Sequence, residues 1–215
     1  NQKNVTKETK ELKKLLDQLK EQLNVEPEVK LEVLFMPYKY SMWDSLESIW
    51  LTAKDDPRCH ARVMPIPYYE RDENGLLSDF HYEIEEFLVN DIPVVSYKEY
   101  DYTVIRPDII YFHNPYDGEN RVTSVSPEFY TDKLKHYTDM LVYVPYYVSG
   151  VDTSQNIRTG LFPGEKTAHK IISSSKQLTD SYIKLGVESD KILTLGSPKI
   201  DYMYKLSNEK KLPKN

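Results

Sequence analysis

The feature that most constrains the fold is an alternation of short apolar segments with amphipathic ones, which begins near Val29. Several apolar segments are nearly continuous runs, among them residues 108–113 (DIIYFH) and 140–148 (MLVYVPYYV). Strands of a parallel sheet are buried on both faces and therefore read as continuous apolar runs, whereas the helices between them keep a polar face. The alternation predicts an α/β domain with a Rossmann-like, doubly wound, mostly parallel sheet.

The boundaries of the predicted elements come from capping and turn residues. Ser41 and Asp44 form a Ser-x-x-Asp capping box, Ser126 precedes Pro127, and Gly186 suits the end of a helix. We predict strands at 29–38, 61–69, 92–97, 108–113, 140–148 and 169–175, followed by a final strand and turn within 191–201. We predict helices at 41–53, 81–90, 126–138 and 176–185.

An amphipathic helix is predicted ahead of this domain. Residues 5–23 place leucines at helical spacing with Lys and Glu on the other positions, and Pro27 interrupts the pattern. We therefore divide the chain into a helical connector at 1–24 and a Rossmann-like domain at 25–215.

Composition excludes several classes of protein. With 28 basic against 34 acidic residues the net charge is −6, so the chain lacks the basic surface that nucleic-acid binding requires. No apolar run approaches the roughly 18 residues of a membrane span. Cys59 is the only cysteine, which rules out an internal disulfide and fits the cytoplasm.

Common cofactor and catalytic motifs are missing from the sequence. Neither G-x-G-x-x-G nor G-x-x-x-x-G-K-[ST] occurs, so standard dinucleotide and P-loop sites are not expected, and G-x-S-x-G is absent too. The five histidines are scattered and form no zinc signature. We expect no cofactor and no metal site.

The predicted sheet nevertheless points to a place for a ligand, because ligands of such sheets bind outside the carboxyl ends of the strands. Tyrosines crowd the segments that follow these ends, which predicts a tyrosine-lined cleft; a simple preference of tyrosine for strand ends explains the crowding equally well. The candidate ligand-binding residues are Ser41, Asp44, Asn114, Tyr116, Tyr146, Tyr147, Ser174, Ser175 and Ser197. The serines and Asp44 stand at predicted helix starts, where backbone N–H groups can hold a phosphate, although ordinary capping also explains them.

His113 and Asp117 are the candidate catalytic pair. Imidazole can titrate near neutral pH, so His113 could act as a general base or donate to a phosphate while Asp117 orients it. Alternatively, Asn114, Pro115, Asp117 and Gly118 build a turn, and His113 satisfies local backbone groups.

The C-terminal part of the sequence resembles a known family. The segment 170–203 (KIISSSKQLTDSYIKLGVESDKILTLGSPKIDYM) is similar to the end of the first domain of CDP-glycerol glycerophosphotransferases, the teichoic-acid polymerases and primases. Its LGSPKID stands where that family has a Gly-x-Pro-Arg-x-Asp turn. Segments beginning MPYKYSMWD and RPDIIYFHN further resemble a bacterial subgroup, and the likeness extends over about 29–212.

The resemblance implies the N-terminal, acceptor-side half of a GT-B transferase in cell-wall polymer synthesis. A polyol or glycan would be the acceptor, and a C-terminal domain outside this sequence would bind a CDP-glycerol-like donor. The implied location is the cytoplasm, with peripheral contact at the inner face of the membrane left open through regions outside this sequence.

One departure from the family keeps other functions open. The family's Trp-His-Gly-Thr-Pro motif carries the proposed base, whereas the corresponding positions here are Pro145, Tyr146 and Tyr147. His113 could replace that base. A non-catalytic binding or regulatory module on the same scaffold, or a GT-B glycosyltransferase with another nucleotide-sugar donor, fits the sequence as well.

Overall fold

The computed structural model describes residue 9 and residues 11–18, 29–148 and 160–209. The chain divides into two compact units, residues 1–30 and 31–215. In the first unit, residues 11–18 are helical, and Leu12, Leu15 and Leu16 are exposed. The remainder of the predicted helix 5–23 and residues 149–159 of the long loop lie outside the described residues.

A six-stranded parallel sheet forms the centre of the second unit, and it confirms the predicted Rossmann-like α/β fold. Its strands are β1 (Leu31–Met36), β2 (Cys59–Val63), β5 (Ile109–Phe112), β7 (Met140–Tyr143), β8 (Lys170–Ser173) and β9 (Ile192–Thr194). They lie in the order β2-β1-β5-β7-β8-β9, and every neighbouring pair is parallel.

Alternate residues of the central strands fill two separate apolar layers, one on each face of the sheet. Leu34, Met36 and Ile110 belong to one layer, whereas Val33 and Phe35 belong to the other. Both faces are therefore covered, which explains why these strands are continuous apolar runs in the sequence.

Helices connect most of the parallel strands. The α-helices are α1 (Glu47–Asp55), α2 (Ile84–Leu88), α3 (Tyr102–Ile105), α4 (Thr131–Leu134), α5 (Pro163–Thr167), α6 (Lys176–Lys184) and α7 (Pro198–Glu209). Short 3-10 helices occupy Tyr40–Ser45, Pro127–Phe129 and Ser189–Lys191. The Ser175 hydroxyl caps α6 by accepting from Leu178 N at 3.2 Å, and Gly186 follows the helix at a φ of 91°, as predicted.

A second, antiparallel sheet was not predicted. It contains β3 (Tyr68–Arg71), β4 (Leu77–His81) and β6 (Thr123–Val125) in the order β4-β3-β6. The predicted strand 61–69 is therefore divided between two sheets: β2 in the parallel sheet and β3 in the antiparallel one.

Three local predictions are wrong. The chain turns into a 3-10 helix at Tyr40, so Ser41 is not an N-cap, and the helix has no side-chain capping bond. Residues 92–97 contribute only an isolated bridge from Val94 to Val63 instead of a strand. Beyond β9 the chain forms the helix α7, where only a turn had been predicted.

Candidate functional site

The predicted site residues all follow strands of the parallel sheet. Because the carboxyl ends of parallel strands lie on one edge, the loops after β1, β5, β7, β8 and β9 share that edge. The loop after β1 holds Ser41 and Asp44, the loop after β5 holds His113, Asn114, Tyr116 and Asp117, and the next three loops hold Tyr146, Tyr147, Ser174, Ser175 and Ser197.

His113 is completely buried directly after β5. Its Nε2 accepts a hydrogen bond from the backbone N of Tyr38 at 3.1 Å, and its Nδ1 lies 3.0 Å from Ser45 Oγ. Since the Ser45 hydroxyl donates to Met42 O, Nδ1 is the donor of that pair, and the imidazole is neutral with its proton on Nδ1. Burial, with a smaller contribution from the Lys199 ammonium and against a hydrogen bond with the Met42 backbone, lowers the pKa of His113 to about 3.

This arrangement makes His113 a connection between two rim loops. Its ring joins the loop after β5 to Tyr38 and Ser45 in the loop after β1. Both ring nitrogens are engaged with protein atoms, which is the arrangement expected of a buried structural imidazole. A catalytic role for His113 stays a prediction.

The Asp117 carboxylate forms its hydrogen bonds at the start of α4. The carboxylate accepts from Thr131 N at 3.1 Å and from Thr131 Oγ1 at 2.7 Å, so its polar atoms are directed to that helix and not to His113. Burial raises the pKa of Asp117 to about 6, against the hydrogen bonds from Thr131, which act in the opposite direction.

The whole loop after β5 is held from several sides. Asn114 Oδ1 accepts from Tyr116 N at 3.0 Å and closes a turn. The Arg71 guanidinium donates to the carbonyl oxygens of Asn120, Gly75 and Gly118. The loop is therefore a fixed part of the edge, built on the second sheet.

The titration of Asp117 should be visible in protein stability. An ordinary Asp titrates near 3.9, so a folded-state pKa of about 6 means that the folded chain binds the proton more tightly. The contribution of Asp117 to the free energy of unfolding is then largest below pH 4. It decreases as pH rises through 6, by at most about 3 kcal/mol. Asp117→Asn keeps an acceptor for Thr131 but cannot titrate. Urea unfolding of both chains between pH 4 and pH 7 should show this titration as a decrease, with rising pH, in the unfolding free energy of the unaltered chain relative to that of Asp117→Asn.

The exposed Asp139 supplies the control for this measurement. Asp139→Asn should leave the pH dependence almost as it is in the unaltered chain. Parallel stability curves for Asp117→Asn and the unaltered chain would show that Asp117 titrates normally in the folded state.

Half-buried aromatic side chains line the edge between the loops after β5 and β7. The hydroxyls of Tyr116 and Tyr146 lie 3.3 Å apart, and the rings of Tyr146 and Tyr147 contact edge to face at 5.5 Å. The Tyr116 ring also contacts Phe162 at 4.5 Å between centroids. Burial, followed by the hydrogen bond with Tyr116, raises the pKa of Tyr146, so its hydroxyl stays protonated near neutral pH and can donate.

Asn114 adds a buried donor beside this cluster. Asn114 is only 6% exposed, and its Nδ2 has no hydrogen-bond partner among the described protein atoms. A buried amide without a partner is costly, so a water molecule or a ligand oxygen is expected to accept from it.

Lys199 was not identified from the sequence. It lies in the first turn of α7, and its Nζ donates to Asp44 Oδ2 at 2.6 Å across 155 positions of sequence. The ion pair connects α7 to the 3-10 helix after β1, and Asp44 Oδ1 is buried without a partner among the described protein atoms. The sequence offered one signal for this residue, a lysine that follows Gly-Ser-Pro at the start of a helix. Its pairing with Asp44 could not be inferred, because it depends on the folded topology.

Two of the edge serines take part in helix ends, Ser175 with its hydroxyl and Ser197 with its backbone carbonyl. Ser175 caps α6, and the carbonyl of Ser197 accepts from Ile200 N and Asp201 N in the first turn of α7. Ser174 is half-buried and Ser41 is exposed. Phosphate binding by these residues stays a prediction.

The described part of the chain contains no group of three or more His, Cys, Asp or Glu side chains placed to hold a metal ion. Within the same residues, no helix has the length and apolar character needed to cross a membrane.

Solved structures supply the comparison for this fold. A UDP-N-acetylglucosamine 2-epimerase matches 82% of this chain with a TM-score of 0.50 and 13% identity, over 48% of its own length. The enzyme of that name from Neisseria meningitidis, bound to UDP-GlcNAc, matches 83% of this chain with a TM-score of 0.50 and 10% identity, over 50% of its own length.

The chain shares a Rossmann-like α/β fold with these structures. It spans about half the length of the solved structures that it matches. At identities this low the likeness concerns the fold alone. No protein-family model matches the sequence, and no sequence among the curated proteins matches it.

Proposed function

We propose that the chain is the acceptor-side half of a GT-B-type enzyme that transfers a group from a nucleotide-activated donor. The observation that carries this proposal is the aromatic edge of the parallel sheet, where the half-buried Tyr116 and Tyr146 offer hydroxyls for hydrogen bonding. Such an edge is where doubly wound sheets bind ligands. The match to half of longer GT-B-like structures supports a second Rossmann-like half for the donor.

The donor class has two sources of support. The likeness of residues 170–203 to CDP-glycerol glycerophosphotransferases favours a CDP-glycerol-like donor and a role in teichoic-acid-type polymer synthesis. The solved neighbours are named as enzymes of UDP-N-acetylglucosamine, which favours a nucleotide sugar. In either case we place the enzyme in the cytoplasm at the inner face of the membrane, with a polyol or glycan as the acceptor.

A non-catalytic sugar-binding module is the second candidate. It is favoured by the complete burial of His113, together with Pro145, Tyr146 and Tyr147 at the positions where the resembling family carries its base. If the edge binds a sugar but supplies no general base, the protein would bind the sugar and transfer no group to it.

Nucleotide release tests the transferase directly. The full-length protein should be purified from its source cells and incubated with CDP-glycerol or UDP-N-acetylglucosamine in the presence of a cell-envelope fraction. We expect acceptor-dependent release of CMP from the first donor or UDP from the second. The 215-residue chain alone is the control, and it should release neither.

The result separates the candidates. Release of UDP alone would replace the CDP-glycerol assignment with a nucleotide-sugar enzyme. No release with either donor from a folded, full-length protein would contradict the transferase and leave the binding module.

A further inference from the structure

We infer that the aromatic rim, defined as Tyr116, Tyr146, Tyr147 and Phe162, is a stacking platform for an uncharged cyclic sugar. This inference rests on the proposed acceptor-side function and narrows its ligand to a pyranose ring, as opposed to an acyclic polyol phosphate.

The rim is continuous and fixed in place. Tyr116 touches Tyr146 through the hydroxyls and Phe162 through the ring, while Tyr146 contacts Tyr147. On its inner side Tyr146 meets the buried His113 ring at 6.2 Å. All four rim side chains are half-buried, so each is supported by the protein and keeps part of its surface at the edge. A rigid aromatic surface binds with little loss of conformational entropy.

The charged groups around the rim are occupied by protein partners. Asp44 pairs with Lys199 at 2.6 Å, and Asp117 accepts from Thr131. Glu165 accepts from Phe162 N at 2.9 Å. The one cation in these pairs, Lys199, is already bound to Asp44, so the pairs leave no free cation for an anionic ligand. A neutral ligand needs no charged partner.

One cation outside these pairs, Lys39 in the loop after β1, is directed onto aromatic rings. Its Nζ lies 4.7 Å from the centroid of the Tyr68 ring and 5.6 Å from that of Tyr38. Cation–π contacts of this kind hold the ammonium against the second sheet. Lys39 is a group that a phosphate would be expected to recruit, so it supplies the contrary test.

The chemistry of the rim favours a cyclic sugar over an acyclic polyol. A pyranose presents an apolar C–H face to an aromatic ring and hydroxyls around its edge, which suits aromatic surface combined with the hydroxyls of Tyr116 and Tyr146. An acyclic polyol has no such face, and its many rotatable bonds make ordering it more costly.

Saturation-transfer NMR on the 215-residue chain tests the inference with three probes: methyl β-D-glucopyranoside, glycerol and glycerol 3-phosphate. We expect transfer to the ring protons of the glucoside at millimolar concentration and weaker or no transfer to the other two. Tyr146→Leu should lower the affinity for the glucoside at least fivefold, because it keeps apolar volume and loses the ring. Tyr146→Phe, which keeps the ring and loses only the hydroxyl, should lower the affinity by less than Tyr146→Leu does. Tyr204→Ala, which changes a tyrosine that is 70% exposed on α7, should have no effect.

Each contrary outcome is informative. Tighter binding of glycerol 3-phosphate that is lost in Lys39→Met would overturn the uncharged ligand and favour a polyol phosphate. Glucoside binding that survives Tyr146→Leu, or no binding of any probe by the folded chain, would overturn the stacking platform. None of these outcomes changes the nucleotide-release assay, so the proposed transfer is judged separately.

Discussion

Replacing His113 with alanine is expected to lower the free energy of unfolding by about 3 to 5 kcal/mol. The change empties part of a fully buried position and leaves Tyr38 N without its acceptor. A buried cavity of this size and a lost buried hydrogen bond each cost on the order of 1–3 kcal/mol. Urea unfolding at pH 7 measures the loss. His136→Ala is the matched control, because its side chain is exposed and should change stability by less than about 0.5 kcal/mol.

The same position has a pH signature of definite sign. An unfolded histidine titrates near 6.5, whereas burial lowers the folded-state pKa of His113 to about 3. Between these values the unfolded chain binds more protons, so this histidine destabilises the fold as pH decreases from 6.5 toward 3. His113→Gln, which retains an acceptor for Tyr38 N, should remove that part of the acid sensitivity. Asp117 has the opposite effect, since it stabilises the fold as pH decreases below 6. Comparing each variant with the unaltered chain separates the contribution of His113 from that of Asp117.

These variants also decide between the structural and the catalytic interpretation of His113. If His113→Ala keeps full stability and abolishes nucleotide release by the full-length protein, the imidazole works on the substrate and its buried arrangement is not the functional one. If His113→Gln retains both stability and release, the base must be another group.

The central sheet could be predicted from the sequence because its information is local. Residues 108–113 and 140–148 are apolar runs that both faces of a parallel sheet require, and Ser175 with Gly186 marks the ends of α6 by the chemistry of capping. The second sheet could not be predicted, because β4 is largely exposed and β6 has three residues. Its strands are stabilised by pairing across the chain, Tyr68 with Val125 for example.

The candidate site shows the same division between local and long-range information. The segment after β5 could be placed at the ligand edge from strand order alone. What His113 does there depends on Tyr38 and Ser45, which lie 75 and 68 positions away, and the same holds for Lys199 with Asp44. Residue types and spacing carry no information on those partners. From local information alone His113 was therefore predicted as a candidate base, and the structure adds that it is buried and bonded to the loop after β1.

Gly164→Ala is expected to destabilise the chain by about 1–3 kcal/mol and to displace the rim loop. A Cβ added at Gly164 would lie 2.9 Å from Pro115 Cα and 2.9 Å from Phe112 Cε2, closer than real Cβ contacts allow. The Gly164 N also donates to Pro115 O at 2.8 Å, so α5 and the loop after β5 are joined backbone to backbone. A backbone neighbour cannot rotate away as a side chain can, and overpacking of this kind costs 1–3 kcal/mol.

Because Pro115 lies between Asn114 and Tyr116, the displacement should reach the aromatic rim. We expect Gly164→Ala to weaken glucoside binding in the same NMR experiment, in addition to its loss of stability in urea. Gly160→Ala is the matched control, since a Cβ at Gly160 has no atom within 4 Å, and it should leave both measurements unchanged. Unchanged stability in Gly164→Ala would mean that α5 and the loop after β5 are not in close backbone contact. A less stable variant that binds the glucoside as tightly as the unaltered chain would mean that the rim keeps its geometry independently of α5, and that Phe162, which stands at the start of α5, is not needed for the platform.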